Sequence, residues 1–274
     1  MIVVVVVEVD DDAGVDDARF RATAAVVYGR RVSERESFLR RFHALHPGAT
    51  SQAFARTDSY ARLASLVTGR ERVLDLACGD GPLLAELGPR AIGIDLSREE
   101  LAITRVGGRV VQGRAQALPF ADGSFDAVAC HLAFMLFDDI ERVVAELARV
   151  IVPGGVFAAL LGGGPVELAE SDRQRDAFHR FLAVGSPHVG GARFGDPRAK
   201  SPQGWRELFA GWSEPTFERI ELELGGTFDH AWDFLGASYQ LDPVHADRVR
   251  DELRVELGDH ASCKVVCWLA SVTR

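Results

Sequence analysis

A short apolar run followed by a glycine turn constrains the fold of this chain most. Residues 73–84 read Val-Leu-Asp-Leu-Ala-Cys-Gly-Asp-Gly-Pro-Leu-Leu. The apolar residues predict a buried strand, and Gly79 and Gly81 let the backbone turn sharply and approach a ligand. Pro82 suits the first turn of a helix, where its missing N–H has no role. The stretch therefore predicts a strand, a turn and a helix whose free N–H groups favour negative charge.

Two kinds of ligand compete for such a turn. Dinucleotide folds place a pyrophosphate there and carry a third glycine, whereas this chain has Leu84 at that position. Asp75, at the end of the strand, would repel a pyrophosphate and attract an ammonium group. S-adenosylmethionine (SAM) carries both an amine and a carboxylate, so we expect its amine beside Asp75 and its carboxylate beside the turn amides. A turn with a purely structural role is the alternative.

A second strand ends in another carboxylate. Residues 90–97 read Arg-Ala-Ile-Gly-Ile-Asp-Leu-Ser, and Asp95 follows Gly79 by sixteen residues. An acidic residue at the end of the second strand is placed to accept hydrogen bonds from ribose hydroxyls. Ser97 is predicted to cap the next helix, with Glu100 as its capping-box partner.

Five motifs in order resemble class I SAM-dependent methyltransferases. They are Leu-Asp-Leu-Ala-Cys-Gly-Asp-Gly at 74–81, Gly-Ile-Asp-Leu-Ser at 93–97, Ala-Leu-Pro-Phe at 117–120, Asp-Gly-Ser-Phe-Asp at 122–126 and Arg-Val-Ile-Val-Pro-Gly-Gly at 149–155. The chain is most similar to the small-molecule subgroup related to the ubiquinone and biotin pathway enzymes, called type 11. The resemblance covers about residues 60–161 and returns at the C-terminal strand. It implies an α/β fold: a Rossmann-like, seven-stranded, mostly parallel sheet with helices on both faces.

The resemblance also implies how the chain is divided. We expect an N-terminal extension and helical cap over residues 1–50 and a SAM-binding methyltransferase domain over 51–274. A segment at about 163–202 does not match the core pattern, and we interpret it as a lid over the acceptor pocket. The pattern of residues 16–44 predicts helix. The valine-rich residues 2–7 fit either an added edge strand or an unstructured terminus.

Further cofactor contacts are implied by the resemblance. They are expected at Ala77, Leu96, Ala115, Gln116, Cys130 and Tyr60. Arg56, in the predicted cap region, is a candidate to pair with the SAM carboxylate. Many relatives carry Asp at the position of Arg114, where it accepts from the adenine amino group. This chain departs from that pattern, so adenine contact is expected from the Ala115 N–H and the Gln116 side chain, with Arg114 covering the ring.

Methyl transfer needs alignment and, where the acceptor must lose a proton, a base. His131 ends the predicted fourth strand, where ligands of open α/β sheets bind. It is the first candidate for the base, and the rivals are His43 and His46 in the cap and His179 in the predicted lid. A neutral His131 that only forms the pocket wall is an equal alternative. Asp138 and Asp139 are predicted to open a helix rather than to bind metal.

Composition limits the other classes of function. The 274-residue chain is 47% hydrophobic with a net charge of −9 and no basic stripe, so we expect neither nucleic acid nor membrane as a partner. Its longest apolar run is too short to span a bilayer and lacks a basic n-region, which predicts a cytoplasmic protein. Four cysteines without zinc-type spacing predict buried free thiols and no metal.

The sequence therefore predicts a metal-independent O-methyltransferase that uses SAM on a small molecule of secondary metabolism. The end of the fourth strand has neither the Asn-Pro-Pro-Tyr type signature of amide and base N-methyltransferases nor the strand-end Asp of metal-dependent enzymes, and both absences favour this prediction. C- or N-methylation, an NAD(P)-dependent oxidoreductase and a non-catalytic SAM-binding regulator are the alternatives. Asp75 and Leu84 disfavour the oxidoreductase.

Overall fold

The computed structural model describes residues 2–9, 20–27, 34–104, 109–185, 195–238 and 241–274. Its strands are β1 (Ile2–Val9), β2 (Phe20–Val27), β3 (Val73–Leu76), β4 (Ile92–Asp95), β5 (Val110–Gln112), β6 (Phe125–His131), β7 (Ile151–Pro165), β8 (Thr216–Glu223), β9 (Gly226–Thr227), β10 (His260–Ala261) and β11 (Lys264–Thr273). Its α-helices are α1 (Glu34–Leu45), α2 (Ala49–Phe54), α3 (Ser59–Ser65), α4 (Pro82–Leu87), α5 (Arg98–Ile103), α6 (Ile140–Val150), α7 (Glu170–Arg173), α8 (Ala177–Gly185), α9 (Pro202–Leu208), α10 (Phe228–Ser238) and α11 (Pro243–Leu257). Short 3₁₀ turns cover Phe134–Leu136 and Pro197–Lys200.

The central sheet has seven strands in the order β5-β4-β3-β6-β7-β11-β8. Strands β5, β4, β3, β6 and β7 pair in parallel, whereas β11 runs antiparallel to both of its neighbours. This confirms the Rossmann-like, mostly parallel sheet that the sequence predicts. Because the parallel strands end at one edge, Asp75, Asp95 and His131 come to the same edge of the sheet.

Helices cover both faces of the sheet, which explains why its central strands are apolar on both sides. One face buries α2, α3, α4, α8, α10 and α11 against small side chains such as Ala127, Ala129 and Ala158. The other face buries α6 and α9 against Val128 and Phe157. The alternating pattern of residues 217–224 predicts a strand, and the patterns of 232–239 and 244–257 predict helices; β8, α10 and α11 confirm them to within four residues at each end.

The N-terminal residues form a hairpin rather than part of a long helix. Strands β1 and β2 pair antiparallel over their full lengths, from Ile2 opposite Val27 to Val9 opposite Phe20. They make a separate two-stranded sheet, so the edge-strand alternative is wrong. The helical prediction for 16–44 is wrong over 20–27 because a β-branched partner strand satisfies that backbone better than a helix. Within that range the helix α1 begins at Glu34 and ends at Leu45.

The segment predicted as a lid is partly built into the core. Strand β7 continues to Pro165, so the insertion begins later than residue 163. Helix α8 buries Phe178 and Phe181 in the same hydrophobic cluster as α10 and α11. His188 and Phe194 of the predicted lid lie outside the described residues. A lid over 163–202 and the division at residue 50 stay predictions.

Two global expectations can be compared with the structure. All four cysteines, Cys78, Cys130, Cys263 and Cys267, are buried and free, as predicted. Across the described ranges, no helix combines the length and the apolar character needed to cross a bilayer.

Candidate active site

The glycine turn has the geometry that its sequence predicts. Ala77, Gly79 and Gly81 all have positive φ angles, of 61°, 54° and 92°. Gly81 is the N-cap of α4, and Pro82 occupies its first turn. The left-handed conformation is inexpensive for the two glycines and strained for Ala77. The strained residue lies where the chain leaves β3 and turns beside the predicted cofactor site.

Leu84 explains why the dinucleotide pattern is absent. Its side chain is fully buried. A Cβ atom on Gly93 would lie 2.7 Å from Leu84 Cδ1 and 2.6 Å from Cys78 Sγ. Close packing of α4 on the sheet therefore depends on a glycine in the neighbouring strand β4, rather than on a third glycine in the turn itself.

Asp75 is a buried carboxylate without a partner. It is 1% exposed, and both of its carboxylate oxygens lack a hydrogen bond to any residue that the structure describes. Burial, and next the charge of Asp95, raises the pKa of Asp75 well above its usual range, and the nearby Leu84 backbone amide, too poorly placed to form a hydrogen bond, opposes this only in part. An unpaired buried charge is costly, so the position is suited to a cationic group brought by a ligand.

Asp95, at the end of the adjacent strand, is held by the chain itself. Its Oδ2 accepts from the Gly79 N–H at 2.9 Å and its Oδ1 accepts from the Ser97 N–H at 2.7 Å. Burial raises the pKa of Asp95, and the two backbone donors act in the opposite direction. Asp95 is thus fixed in position, and carboxylate oxygens can accept further bonds from a ligand.

The turn amides are less free than expected. The Gly79 N–H donates to Asp95, and the Gly81 N–H donates to the Cys78 carbonyl at 2.9 Å. These two N–H groups are therefore not free to bind a carboxylate in this structure, and the placement of Gly79 and Gly81 beside the methionine part of SAM stays a prediction. The turn closes on itself, so it satisfies the donors that an open helix N-terminus would present.

A cavity with about 790 Å³ of empty space, counted to its open mouth, lies beside these strand ends. Seven of the predicted site residues line it: His43, Ala77, Asp95, Leu96, Arg114, Ala115 and Gln116. The lining residues that the sequence analysis did not assign as ligands include Glu36, Leu39, Arg40, Leu136, Phe137 and Asp138.

A buried ion cluster forms one wall of the cavity. Glu36 is 5% exposed, and its Oε1 pairs with Arg40 Nε and Nη2, both at 3.0 Å. Its Oε2 pairs with Arg114. Arg114 is thus engaged by a carboxylate from α1. The sequence analysis missed Glu36 and Arg40. Their spacing could have indicated them, because Glu36, Arg40 and the candidate His43 lie on one face of a helix.

The side chain of Gln116 is also engaged. Its Nε2 donates to the Asp138 carbonyl at 2.9 Å and to Asp138 Oδ1 at 2.7 Å. Asp138 therefore faces the cavity instead of capping α6. Asp139, the N-cap residue of α6, makes no side-chain capping hydrogen bond. The acidic pair therefore opens α6 as predicted, with Asp139 at the N-cap position, but neither side chain makes a capping hydrogen bond.

Carboxylates fasten the α1–α2 region to the cofactor side. Ser97 Oγ accepts from the Glu100 N–H as predicted. The Glu100 side chain does not complete the capping box; it accepts from the Gly48 N–H at 3.0 Å and contacts His43 Nδ1 at 2.7 Å. Since Glu100 is 3% exposed, His43 is a partner of a buried carboxylate rather than a free base.

His131 lies among aromatic side chains at the end of β6. Its ring stacks on Tyr60 at 4.1 Å and meets Phe54 edge-on at 5.3 Å, measured between ring centroids. Its Nε2 is 3.1 Å from Ser59 Oγ, so only Nδ1 could take a proton from a substrate. Burial lowers the pKa of His131 to about 3. The imidazole is therefore neutral near pH 7 and a weak base.

The remaining candidates lie away from the cavity wall. Arg56 is exposed and donates to the Gly225 carbonyl at 3.4 Å. His46 is exposed beside Phe42. His179 pairs with the buried Asp176 at 2.9 Å, and Cys130 is fully buried in the core. None of these side chains lines the cavity, so their predicted roles gain no support from its geometry.

Tyr60 belongs to the same buried neighbourhood as Asp75. Burial, followed by the charges of Asp80 and Asp75, raises the pKa of Tyr60. Its phenol therefore stays protonated at neutral pH. Among the residues with described positions, no group of three or more His, Cys, Asp or Glu side chains is arranged to hold a metal ion.

The central strands also match a known family. The sequence profile of a methyltransferase domain matches residues 74–159. That range contains the glycine turn, Asp75, Asp95 and His131. The chain carries a class I SAM-dependent methyltransferase domain.

Three relatives of this methyltransferase domain define its neighbourhood. A demethylmenaquinone methyltransferase from Thermus thermophilus is 38% identical over 44% of this chain and 59% of its own length. The ubiquinone/menaquinone biosynthesis C-methyltransferase UbiE of Methylobacterium nodulans is 36% identical over 46% of this chain and 54% of its own length. A malonyl-[acyl-carrier protein] O-methyltransferase from Pectobacterium atrosepticum is 34% identical over 48% of this chain and 61% of its own length. The chain thus spans less than two thirds of the length of each of these relatives.

Solved structures show the same fold at lower identity. The YcgJ protein from Bacillus subtilis superposes with a TM-score of 0.52 and 21% identity, covering 79% of this chain and 97% of that protein. A Haemonchus contortus phosphoethanolamine N-methyltransferase 2, solved with S-adenosylhomocysteine, superposes with a TM-score of 0.53 and 16% identity, covering 92% and 62%. These similarities concern the fold of the methyltransferase domain.

Proposed function

We propose that the chain transfers a methyl group from SAM to a flat, apolar small molecule. The observation that carries the proposal is Asp75, a fully buried carboxylate whose two oxygens have no partner among the described residues. It lies next to Leu76 and Ala77, which line the cavity. The ammonium group of SAM would satisfy such a carboxylate both as its counter-charge and as a hydrogen-bond donor.

The other lining residues match the remaining parts of SAM. Asp95 ends β4 and can accept from the ribose hydroxyls while the Gly79 and Ser97 amides hold it. Leu96, Leu136 and Phe137 provide apolar surface for the adenine ring. Bound SAM supplies a methyl group already activated by its sulfonium charge. The chain therefore has to orient the acceptor, and good orientation is worth up to roughly 7–11 kcal/mol of the barrier.

The surroundings of His131 point to an aromatic acceptor. Phe54, Tyr60 and His131 form a contiguous set of rings, and Phe234 extends it with its centroid 5.8 Å from that of Phe54. These rings lie outside the lining of the cofactor cavity, and Phe54, Tyr60 and His131 are buried. A flat apolar acceptor that reached them beside the end of β6 would gain stacking and edge-on contacts.

His131 is proposed as an orienting residue, not as the base. A group with a pKa of about 3 accepts a proton poorly from a phenol, whose pKa is about 10. Ser59 also occupies its Nε2. The acceptor is therefore expected to react as an already ionised or electron-rich ring, with His131 fixing its plane. His43, His46 and His179 are weaker candidates, since none is placed against the His131 ring cluster.

The relatives favour a ring carbon as the site of methylation. Two of them are named as demethylmenaquinone and ubiquinone/menaquinone C-methyltransferases, so a quinol-type ring is the first acceptor class to test. O-methylation of a small molecule is the second candidate, because a further relative is named as an O-methyltransferase. A role in secondary metabolism, a cytoplasmic location and independence from metal belong to this proposal as predictions from the sequence.

Calorimetric titration with SAM, S-adenosylhomocysteine and NADH tests the cofactor. We expect the first two to bind and NADH not to bind; the reverse result would overturn the assignment. SAM with a ¹³C-labelled methyl group and a panel of quinols and phenols then tests the reaction. Long-range proton–carbon coupling in the product separates C-methyl from O-methyl, and heat-inactivated protein is the control. Binding without transfer to any acceptor of the panel would favour a SAM-binding regulator.

A further inference from the structure

A buried carboxylate and two partly exposed guanidinium groups lie together against the cofactor cavity. Glu36 on α1 pairs with Arg40 on the same helix and with Arg114 from the loop after β5. All three side chains line the cavity. Replacing buried ion pairs by apolar residues is often neutral or stabilising, so a buried pair on a cavity wall invites a role in binding.

The position of the cluster relative to the cofactor is set by the strand ends. Asp75 on β3 takes the amine end and Asp95 on β4 takes the ribose. The rest of the cavity wall is made by residues 113–116 and 136–138 together with α1. This inference rests on the proposed function, because it takes the bound molecule to be SAM. The adenine ring then lies at the end formed by these residues.

The Watson–Crick edge of adenine presents a donor, its 6-amino group, beside an acceptor nitrogen. At this end of the cavity, the acidic side chains that could accept from the amino group are Glu36 and Asp138. Both carboxylates already accept from the chain, Asp138 from Gln116 and Glu36 from two guanidinium groups, but Glu36 is buried whereas Asp138 is half-buried. Residue 114 itself is an arginine and cannot accept.

We propose that Glu36, supplied by the N-terminal helix α1, accepts the hydrogen bond from the 6-amino group of the adenine, and that Arg114 positions it. A carboxylate oxygen accepts more than one hydrogen bond, so a guanidinium and an amine can share it. Arg40 and Arg114 hold the Glu36 carboxylate from two sides. The cap helix thereby becomes part of the cofactor site and selects 6-aminopurines over 6-oxopurines.

The test compares two ligands that differ at this group. S-adenosylhomocysteine carries the 6-amino donor, and S-inosylhomocysteine carries a 6-oxo acceptor in its place. Calorimetric dissociation constants of both are measured for the whole chain. The wild type should bind the adenosyl ligand more tightly by about 10- to 150-fold, the range for a hydrogen bond to a charged group.

Glu36→Gln is the decisive variant, because an amide of the same shape can donate as well as accept. It should reduce the preference at least about tenfold, partly by improving the affinity for S-inosylhomocysteine. Glu36→Ala should also reduce the preference, but only by weakening the adenosyl ligand. Asp138→Asn is the matched control and should keep the wild-type preference. Thermal unfolding midpoints show that each variant is folded.

The outcomes separate the two proposals. If Glu36→Gln and Glu36→Ala both keep the wild-type preference, the assignment of Glu36 is overturned while SAM binding stands. Loss of the preference in Asp138→Asn alone would also overturn it, in favour of Asp138. If the wild type binds neither thioether, the proposed function fails and the role of Glu36 fails with it.

Discussion

Buried polar groups have different partners on the cofactor side of the sheet edge, around Asp75, and on the proposed acceptor side, around His131. On the cofactor side, Asp75 is buried with no partner for either oxygen among the described residues. On the proposed acceptor side, His131 is paired with Ser59 and packs against the rings of Phe54 and Tyr60. The first region leaves a charge to be satisfied by a ligand, whereas the second presents mostly rings.

This difference indicates how each ligand is recognised. A buried, unpaired carboxylate gives strong and specific binding of a cation but destabilises the unliganded protein. A wall of rings such as Phe54, Tyr60 and His131 selects by shape and apolar contact, and it tolerates changes of substituent. We therefore expect the cofactor to be defined sharply and the acceptor by its class.

The largest expected effect tests the unpaired carboxylate. Asp75→Asn should weaken SAM binding by about 3–5 kcal/mol, the usual cost of removing one partner of a buried ion pair. The same change should raise the free energy of unfolding of the unliganded protein at pH 7. Its raised pKa means that ionised Asp75 is tolerated in the unfolded chain and penalised in the folded one.

The penalty for ionised Asp75 should also appear in how the stability of the wild type depends on pH. Wild-type stability due to Asp75 should be fully present below its unfolded pKa of about 3.9 and should fall as the pH rises towards the raised folded value. Urea unfolding at several pH values measures it. Asp126→Asn is a control, because Asp126 accepts from the Glu71 and Arg72 amides; it should lose stability and keep SAM affinity. If Asp75→Asn instead lowers the free energy of unfolding at pH 7, buried Asp75 does not destabilise the unliganded protein, and the contrast between the two sides fails.

Asp95→Ala should have the opposite effect on stability. It removes the acceptor of the Gly79 and Ser97 amides, so the free energy of unfolding should fall by about 1–3 kcal/mol. SAM affinity should weaken by about 1.5–3 kcal/mol through loss of the ribose contact. Calorimetry with SAM and urea unfolding measure the two effects. Unchanged SAM affinity would remove Asp95 from the cofactor site.

A pH titration sharpens the contrast on the acceptor side. His131 has a pKa of about 3 in the folded chain and about 6.5 when unfolded. Protonation of the unfolded chain should therefore lower stability by about 1.4 kcal/mol per pH unit below pH 6.5, a slope that His131→Gln should lack. Urea unfolding between pH 7 and 5 measures it, with His46→Gln, at an exposed histidine, as the control.

The same variant tests the base hypothesis. If His131 only orients the acceptor, the turnover number of the wild type should show no acid limb near pH 6.5 attributable to it. A limb near that pH that disappears in His131→Gln, with a loss of about 10²–10⁴ in turnover number, would show that His131 takes the proton.

The smallest effect concerns the partner of His131. Ser59→Ala should lower the free energy of unfolding by about 0.5–1.5 kcal/mol, the net value of one hydrogen bond. SAM affinity should stay the same, since Ser59 contacts His131 and Thr57 rather than the cofactor cavity. Ser65→Ala, at a surface hydroxyl bonded to the Arg62 carbonyl, is the control. A large loss of SAM affinity in Ser59→Ala would show that the two sides are coupled.

Local sequence signals were sufficient for the sheet and for much of the cofactor side. The strand–turn–helix around Gly79 and Gly81, the second carboxylate at Asp95 and the Ser97 cap all depend on short-range chemistry: apolar runs, residues that tolerate positive φ, and side chains that bond to nearby amides. Short-range signals failed where a distant partner intervened. The helix expected over 20–27 became a strand because β1 pairs with it.

The sequence by itself determined the parallel sheet, the glycine turn and which carboxylates end the strands, because each depends on residues a few positions apart. Tertiary structure alone decided which of those groups are free. The Glu100 side chain bonds to Gly48 and His43 instead of capping its own helix. The Gly79 N–H donates to Asp95, and Arg114 forms an ion pair with Glu36 on α1. Each of these partners is far along the chain from its mate or on another element, and the burial that makes Asp75 unpaired and His131 neutral exists only once the helices pack on the sheet.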